Sequence, residues 1–277
     1  VLAMGLGLLA SPAEAAPFAY VANERSNNVS VIDTATTPPS VTATITVGSV
    51  PIGAAVTPDG KYVYVTNFQG PNVSVIDTAT NNVVATVPFP AGSLPQGVAI
   101  TPDGTLVYVT SEGVNTVSVI ATATNTVVTT VAVGGVPVAV AVTPDGTQAY
   151  VVNSLGSNVS VIATATNTVV TTFSVGYVPD AVAVTPDGTH AYVVNGSSNT
   201  VSVIATATNT VVATVAVGNS PGGVAVTPDG KHAYVTNEFD NTVSVIDTAA
   251  NTVVATSRWG WTPVESPSPR TGNTPMS

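Results

Sequence analysis

From about residue 18 to residue 256 the chain alternates short runs of Val, Ile, Thr and Ala with brief stretches of Asn, Asp, Gly, Ser and Pro. Residues 179–218 hold four such runs: Ala181–Thr185, His190–Val194, Thr200–Ile204 and Thr210–Val217. Each is β-branched-rich, four to eight residues long and bounded by turn residues, which predicts four strands. The TPDG tetrapeptide between the first two predicts a type I turn, with Pro presetting φ and Asp and Gly completing it. The TATN stretch between the third and fourth supplies an Asn, which tolerates the left-handed conformation a tight link needs.

The unit repeats. Tyr20, Tyr64, Tyr108, Tyr150, Tyr192 and Tyr234 recur at spacings of 44, 44, 42, 42 and 42. TPDG begins at Thr57, Thr101, Thr143, Thr185 and Thr227. Four antiparallel strands in about 42 residues are the content of one β-propeller blade. Helical repeats of this length need a 3.6-residue period and good helix formers, whereas Val, Thr and Ile favour strands. The expected fold is therefore all-β: a propeller of four-stranded antiparallel blades with six recognisable repeats. The first repeat, residues 18–48, lacks its inner strand. Blades stacked face to face cover both strand surfaces, which accounts for near-continuous apolar runs such as residues 211–217.

The motifs Tyr64-Val65-Thr66-Asn67 and Tyr234-Val235-Thr236-Asn237, with TPDG upstream and VSVIDTATN downstream, resemble the YVTN-type β-propeller repeat of bacterial and archaeal secreted and surface proteins. The resemblance covers about residues 17–256. It implies a parent of about seven blades and, more distantly, relation to lactonases and redox-associated propeller enzymes. Fold by itself does not fix function.

Both ends depart from the repeat. Residues 1–16, VLAMGLGLLASPAEAA, pair a short apolar run with Ala13-Glu14-Ala15, the small-x-small pattern of a signal-peptidase site, though the basic n-region is missing. Export is expected, with the mature chain beginning near Ala16 or Pro17, and with a secreted or cell-surface location. Residues 257–277 read SRWGWTPVESPSPRTGNTPMS, where the pattern calls for a sequence like VAVGNSPGGVAVTPDGKHAYV. Synonymous codons for this tail, shifted by one inserted G after Thr256, read VAVGVDPGGVAVTPDGKHAYV. The tail is thus expected to be an out-of-frame reading of a further blade, and disordered as written.

Composition narrows the partners. The chain is 44% apolar and 7% charged, with a net charge of −10 and no cysteine. Phosphate backbones need clustered Lys and Arg, so nucleic acid is excluded as an expected partner. No later segment is apolar for long enough to insert in a membrane. A chain of this size has core enough to fold without disulfides.

The repeats also sort the loops. Links after the first and third strands are nearly invariant, TPDG and TATN. Links after the second and fourth vary from blade to blade. Rigid scaffolds carry function on such loops, which makes Glu24, Arg25, Phe68, Gln69, Glu112, Tyr177, Asp180, Glu238, Phe239 and Asp240 the candidate ligand- or partner-binding residues. The alternative is neutral drift of exposed loops. His190 and His232 lie 42 apart in equivalent slots of different blades, so no metal site is expected from them. No nucleophile with a base in reach and no Gly-rich phosphate loop is visible, so no catalytic residue and no cofactor is expected. The reading favoured is a non-catalytic binding or interaction scaffold for a protein or glycan. The alternative is a lactonase-type hydrolase or redox-associated enzyme with its site on the varied-loop face.

Overall fold

A computed structural model describes residues 18–259. The signal-like segment 1–16 and residues 260–277 of the tail lie outside the described residues. Blade 1 comprises β1 (Phe18–Asn23), β2 (Asn28–Asp33) and β3 (Ser40–Thr46). Blade 2 comprises β4 (Pro51–Val56), β5 (Tyr62–Asn67), β6 (Asn72–Asp77) and β7 (Asn82–Pro88). Blade 3 comprises β8 (Pro95–Ile100), β9 (Leu106–Ser111), β10 (Thr116–Ala121) and β11 (Thr126–Ala132), with a 3-10 turn at Glu112–Val114. Blade 4 comprises β12 (Pro137–Val142), β13 (Gln148–Asn153), β14 (Asn158–Ala163) and β15 (Thr168–Ser174). Blade 5 comprises β16 (Pro179–Val184), β17 (His190–Asn195), β18 (Thr200–Ala205) and β19 (Thr210–Ala216). Blade 6 comprises β20 (Pro221–Val226), β21 (His232–Asn237), β22 (Thr242–Asp247) and β23 (Thr252–Arg258). Every sheet runs in sequence order and every pairing is antiparallel, as in Tyr192↔Val203 between β17 and β18. The all-β propeller with a three-stranded first blade is as the sequence predicts. No helix among the described residues is long and apolar enough to cross a membrane.

The turns have the predicted chemistry. Asn81, Asn125, Asn167, Asn209 and Asn251 of the TATN-type links sit at φ 52–54°, the left-handed region that Asn tolerates. In each TPDG turn the Asp accepts from the Thr hydroxyl, as Asp145 does from Thr143 at 2.5 Å, and the Gly takes φ near 72°.

Stacking is carried by the second and third strands. Between blades 3 and 4, Tyr108, Val117, Val119 and Val131 pack on Ala149, Val151 and Ile162; the same slots build the junction of blades 5 and 6. Full burial of each Val or Ile is worth roughly 1.5–3 kcal/mol. The buried tyrosine must also satisfy its hydroxyl, and the next blade's left-handed Asn accepts from it. Tyr64 donates to Asn125 at 2.6 Å, Tyr108 to Asn167 at 2.5 Å and Tyr192 to Asn251 at 2.8 Å, and Tyr150 donates to Asn209.

The fourth strands correct one expectation. In β19 Val211 and Val212 are exposed, so the apolar run at 211–217 is not covered on both faces. That coverage belongs to strands such as β17 and β18, which are continuously buried over five and four residues. The fourth strand lies at the rim, outside the tightest blade-to-blade packing.

Successive blades pack through β1, β4, β8, β12, β16 and β20 in turn, but no packing of comparable extent joins blade 6 to blade 1. The described residues form an open arc. β23 continues through Ser257 and Arg258, and Trp259 Nε1 donates to the Thr242 carbonyl at 2.9 Å. The first tail residues are therefore held by the backbone ladder, although Ser257 takes the slot filled by Val131 in blade 3 and Val215 in blade 5.

Removing the hydroxyl from Tyr108 leaves Asn167 without its donor, so Tyr108→Phe should destabilise the chain by about 1–2 kcal/mol. Tyr234 has no such acceptor among the described residues, and Tyr234→Phe should be neutral within error. Urea unfolding of the two variants measures both.

Candidate functional site

The varied face is assembled by one recurring backbone bond. The residue before each inner-strand proline has positive φ: Val50, Leu94, Val136, Val178 and Ser220, between 49° and 56°. For Val this is a strained conformation. Its carbonyl accepts from the first residue of the loop after the second strand: Phe68 to Val50 at 2.9 Å, Glu112 to Leu94 at 3.2 Å, Ser154 to Val136 at 2.9 Å, Gly196 to Val178 at 2.8 Å and Glu238 to Ser220 at 2.9 Å. Side chains brace the turn across blades, as Asn27 Oδ1 accepts from Val50 N and Asn115 Oδ1 from Val136 N, both at 2.8 Å.

Each blade thereby sets two variable slots side by side at the axial end of its inner strand. They hold Ile52 and Phe68 in blade 2, Gln96 and Glu112 in blade 3, Val138 and Ser154 in blade 4, Asp180 and Gly196 in blade 5, and Gly222 and Glu238 in blade 6. Blade 1 contributes Glu24 alone. Inner strands approach closely here: a Cβ on Gly97 would stand 2.8 Å from the Val138 carbonyl. Thr66 Oγ1 bridges blades 2 and 3 by accepting from Gly53 N at 2.9 Å and donating to the Gln96 carbonyl at 2.7 Å.

The slots of blades 5 and 6 are reciprocal. Asp180 Oδ2 lies over Gly196, and Glu238 Oε1 lies over Gly222, so each carboxylate fills the space its neighbour's glycine leaves. Burial, reinforced by the charge of Glu238, pushes the Asp180 carboxyl up to about 6. Burial also raises Glu112. Asp180 therefore carries a proton in mildly acidic solution. Among the described residues no group of three or more His, Asp and Glu side chains is placed to hold a metal ion together. Two clefts of 480 and 510 Å³ lie apart from these slots, one around Asp240 and Arg258, the other between the TPDG turns of blades 3 and 4.

The family model of the YNCE-like beta-propeller matches residues 10–148, half of the chain. The chain belongs to the YNCE-like β-propeller family. No curated protein matches it. Among solved structures this YNCE-like propeller is similar to hydrazine synthase of Kuenenia stuttgartiensis, with a TM-score of 0.78 and 23% identity over 87% of this chain and 83% of that one. A functionally unknown protein from Desulfotomaculum acetoxidans DSM 771 gives 0.76 and 21% over 86% and 81%. A candidate 6-phosphogluconolactonase from Bacteroides uniformis ATCC 8492 gives 0.74 and 18% over 87% and 81%. At such identities the likeness concerns the fold.

The ten sequence-selected residues of the YNCE-like propeller separate into groups. Asp180 and Glu238 come together, and Phe68 and Glu112 occupy the equivalent slots of blades 2 and 3. Glu24, Arg25 and Gln69 are exposed in the loops β1–β2 and β5–β6. Tyr177 and Phe239 are exposed at 72% and 82%, apolar rings standing in solvent. Asp240 braces the loop before β20. It accepts from Asn219 N at 2.7 Å and Nδ2 at 2.9 Å, bonds that hold its carboxyl below the usual range. Gln96 escaped selection, although its Oε1 is buried without a hydrogen-bond partner. Its signal was available, because the residue after each inner-strand proline varies (Ile52, Gln96, Val138, Asp180, Gly222) as much as the loops do.

The pH dependence follows from Asp180. Its folded value lies above the ordinary 3.8, so folding opposes ionisation. The protonated carboxyl carries no penalty below about pH 4, and stability is lost as pH rises toward 6. Asp180→Asn removes the penalty and should stabilise the chain by ~1 kcal/mol at pH 7.5, a figure discounted for partial solvent contact, with no gain at pH 3.5. Thermal unfolding at the two pH values measures it; an equal shift at both would refute the assignment.

Proposed function

We propose that this chain is an exported, secreted or cell-surface propeller of the YVTN type. It acts as a non-catalytic scaffold that binds a protein or glycan on its varied-loop face. The observation that carries the reading is the division between the two faces. The TPDG and TATN turns are spent on closing strands and clasping the previous blade, with nearly the same residues each time. The paired slots opposite change chemistry around the face: apolar in blade 2, amide and acid in blade 3, small in blade 4, one acid and one glycine in each of blades 5 and 6. A face whose backbone is uniform and whose side chains are individual suits recognition of one asymmetric ligand. Phe68, Tyr177 and Phe239 add aromatic surface of the kind that stacks on sugars and anchors protein contacts.

A second reading has its own support. Asp180, whose carboxyl is pushed up to about 6 by burial and by the charge of Glu238, has the tuning of a carboxyl that a hydrolase uses for acid–base work. The likeness to a candidate lactonase makes lactones the substrates to try.

One set of variants separates the two. The full chain is applied to a glycan array and to intact bacterial cells, beside Phe68→Ala, Asp180→Asn, Glu238→Gln and, on the opposite face, Asp145→Asn. The scaffold reading expects retention that falls at least tenfold in the first three variants and is unchanged in the fourth. Lactone turnover that disappears in Asp180→Asn and Glu238→Gln, with no retention on either surface, would replace it by the hydrolase reading.

A further inference from the structure

Blade 3 departs from the repeat at the axial end of its inner strand. Six residues link β7 to β8, where four link β11 to β12, β15 to β16 and β19 to β20. The longer link is pinned. Phe89 is buried in the junction of blades 2 and 3, and its N–H donates to the Pro71 carbonyl at 2.9 Å. Ser93 Oγ donates to the Pro90 carbonyl at 2.6 Å. The 3-10 turn Glu112–Val114 presses on this link so closely that a Cβ on Gly113 would meet the Gly92 carbonyl. Gln96 and Glu112, the paired slots of this blade, therefore stand on ordered backbone. Blades 5 and 6 show that side chains in the two slots reach one another, since Asp180 Oδ2 lies over Gly196 and Glu238 Oε1 over Gly222.

Both side chains lack what burial demands. The Gln96 amide oxygen is sealed from solvent and accepts no hydrogen bond. Glu112 is raised by burial, with no donor or cation beside it to offset the cost. Other acids are better served: Asp103 and Asp145 each accept from two threonines, and Asp240 accepts from Asn219. Two neighbouring acceptors without donors are costly unless the donor comes from outside the chain. The surrounding face is acidic as well. Glu24, Asp180, Glu238 and Asp240 join Glu112, against Arg25 and, at the rim, Arg258. Lys61 and Lys231 stand on the opposite face, beside Asp59 and Asp229.

We infer that the axial end of blade 3 binds an organic cation through its ammonium group, which donates to the Gln96 amide oxygen and the Glu112 carboxylate. The inference rests on the reading of the varied face as a binding surface and names the ligand chemistry of one slot pair. The acceptors select the class. An anion is repelled by Glu112. A metal ion needs more hard ligands than this pair offers, and among the described residues no group of three or more His, Asp and Glu side chains is placed to supply them. A sugar hydroxyl donates but leaves the carboxylate charge uncompensated. An ammonium group carries three donors and the opposite charge, so it satisfies the amide oxygen and the carboxylate together. The same chemistry has two sources, a free alkylamine and a lysine side chain of a protein.

The test is titration calorimetry of the full chain. Spermidine serves as the free amine and an amidated tetralysine peptide as the protein-borne one. Hexamethonium, whose quaternary heads keep the charge but have no N–H, is the control. Saturable binding of spermidine or the peptide is expected, at least tenfold tighter than that of hexamethonium. Gln96→Leu and Glu112→Gln should each weaken it at least tenfold, and Asp145→Asn on the opposite face should leave it unchanged. Tighter binding of the peptide makes a lysine side chain the source; tighter binding of spermidine makes it a free amine. Gln96→Leu also removes an unpartnered buried acceptor, so its urea midpoint without amine should not fall, which separates lost binding from lost folding. Equal binding of hexamethonium, or amine binding untouched by Gln96→Leu and Glu112→Gln, overturns the inference, since attraction by the net charge of −10 then accounts for it. Absence of binding by either amine overturns it too. Retention on cells or glycans that still depends on Phe68, Asp180 and Glu238 would in that case leave the scaffold reading standing without it.

Discussion

The structure depends on a phenol buried between two sheets. The second strands of blades 2 to 5 place a tyrosine where it is covered on both faces, and burial of its hydroxyl is tolerable only because the next blade offers an acceptor there. That acceptor is the asparagine of a TATN-type turn, held in the left-handed conformation by the tight link between the third and fourth strands. One residue thus closes a turn in its own blade and clasps the previous one. Burial without nearby opposite charge raises Tyr64, Tyr108, Tyr150 and Tyr192 to about 12, so the hydroxyls remain donors across the physiological range. Between blades 1 and 2 the clasp is not made, because the Asn81 amide oxygen is buried without a partner and Tyr20 is only half-buried, and there Val29, Val31 and Ile45 carry the packing against Val63, Val65 and Ile76; at Tyr234 both clasp and cover are absent.

The uniformity of the clasp explains the division of labour between the faces. Turns that must reproduce one hydrogen bond, as those of blades 3 to 6 do, are not free to vary. The opposite ends are fixed through backbone: the loop N–H bonds the carbonyl of a positive-φ residue whatever the side chains are. Phe68, Glu112, Ser154, Gly196 and Glu238 can therefore differ without disturbing the blade. The low charge has the same origin. Five blade junctions built from Val, Ile, Ala and Tyr leave little surface for Lys or Glu, and rim and loops rely on Thr, Ser and Asn for hydration.

Much of this was legible in the residues. The 42-residue spacing of Tyr and TPDG, with β-branched runs between, fixes four strands per unit and hence the blade. The missing inner strand of blade 1 follows from residues 18–48 by the same count. The varied loops were legible by comparing repeats with one another, and that comparison placed Phe68, Glu112, Asp180 and Glu238 on one face. The rest depended on three-dimensional placement. Nothing in the spacing reveals that the charge of Glu238 reaches Asp180, or that glycines at 196 and 222 let each carboxylate lean over the paired slot of its own blade. Asp240 looked like a free acid because its partners lie in the loop before β20. The exposure of the fourth strands was hidden because Val211 and Val212 read like core, and only their position at the rim makes them surface.

The most direct measurement of the central claim is an ultraviolet titration of tyrosine ionisation on the folded chain, which has eight tyrosines. Clasped packing predicts that four of them resist ionisation until about pH 12, and that denaturant abolishes this late step. A single transition of all eight near the ordinary value of 10 in the folded protein would contradict it, because the tyrosines could not then be sealed between blades.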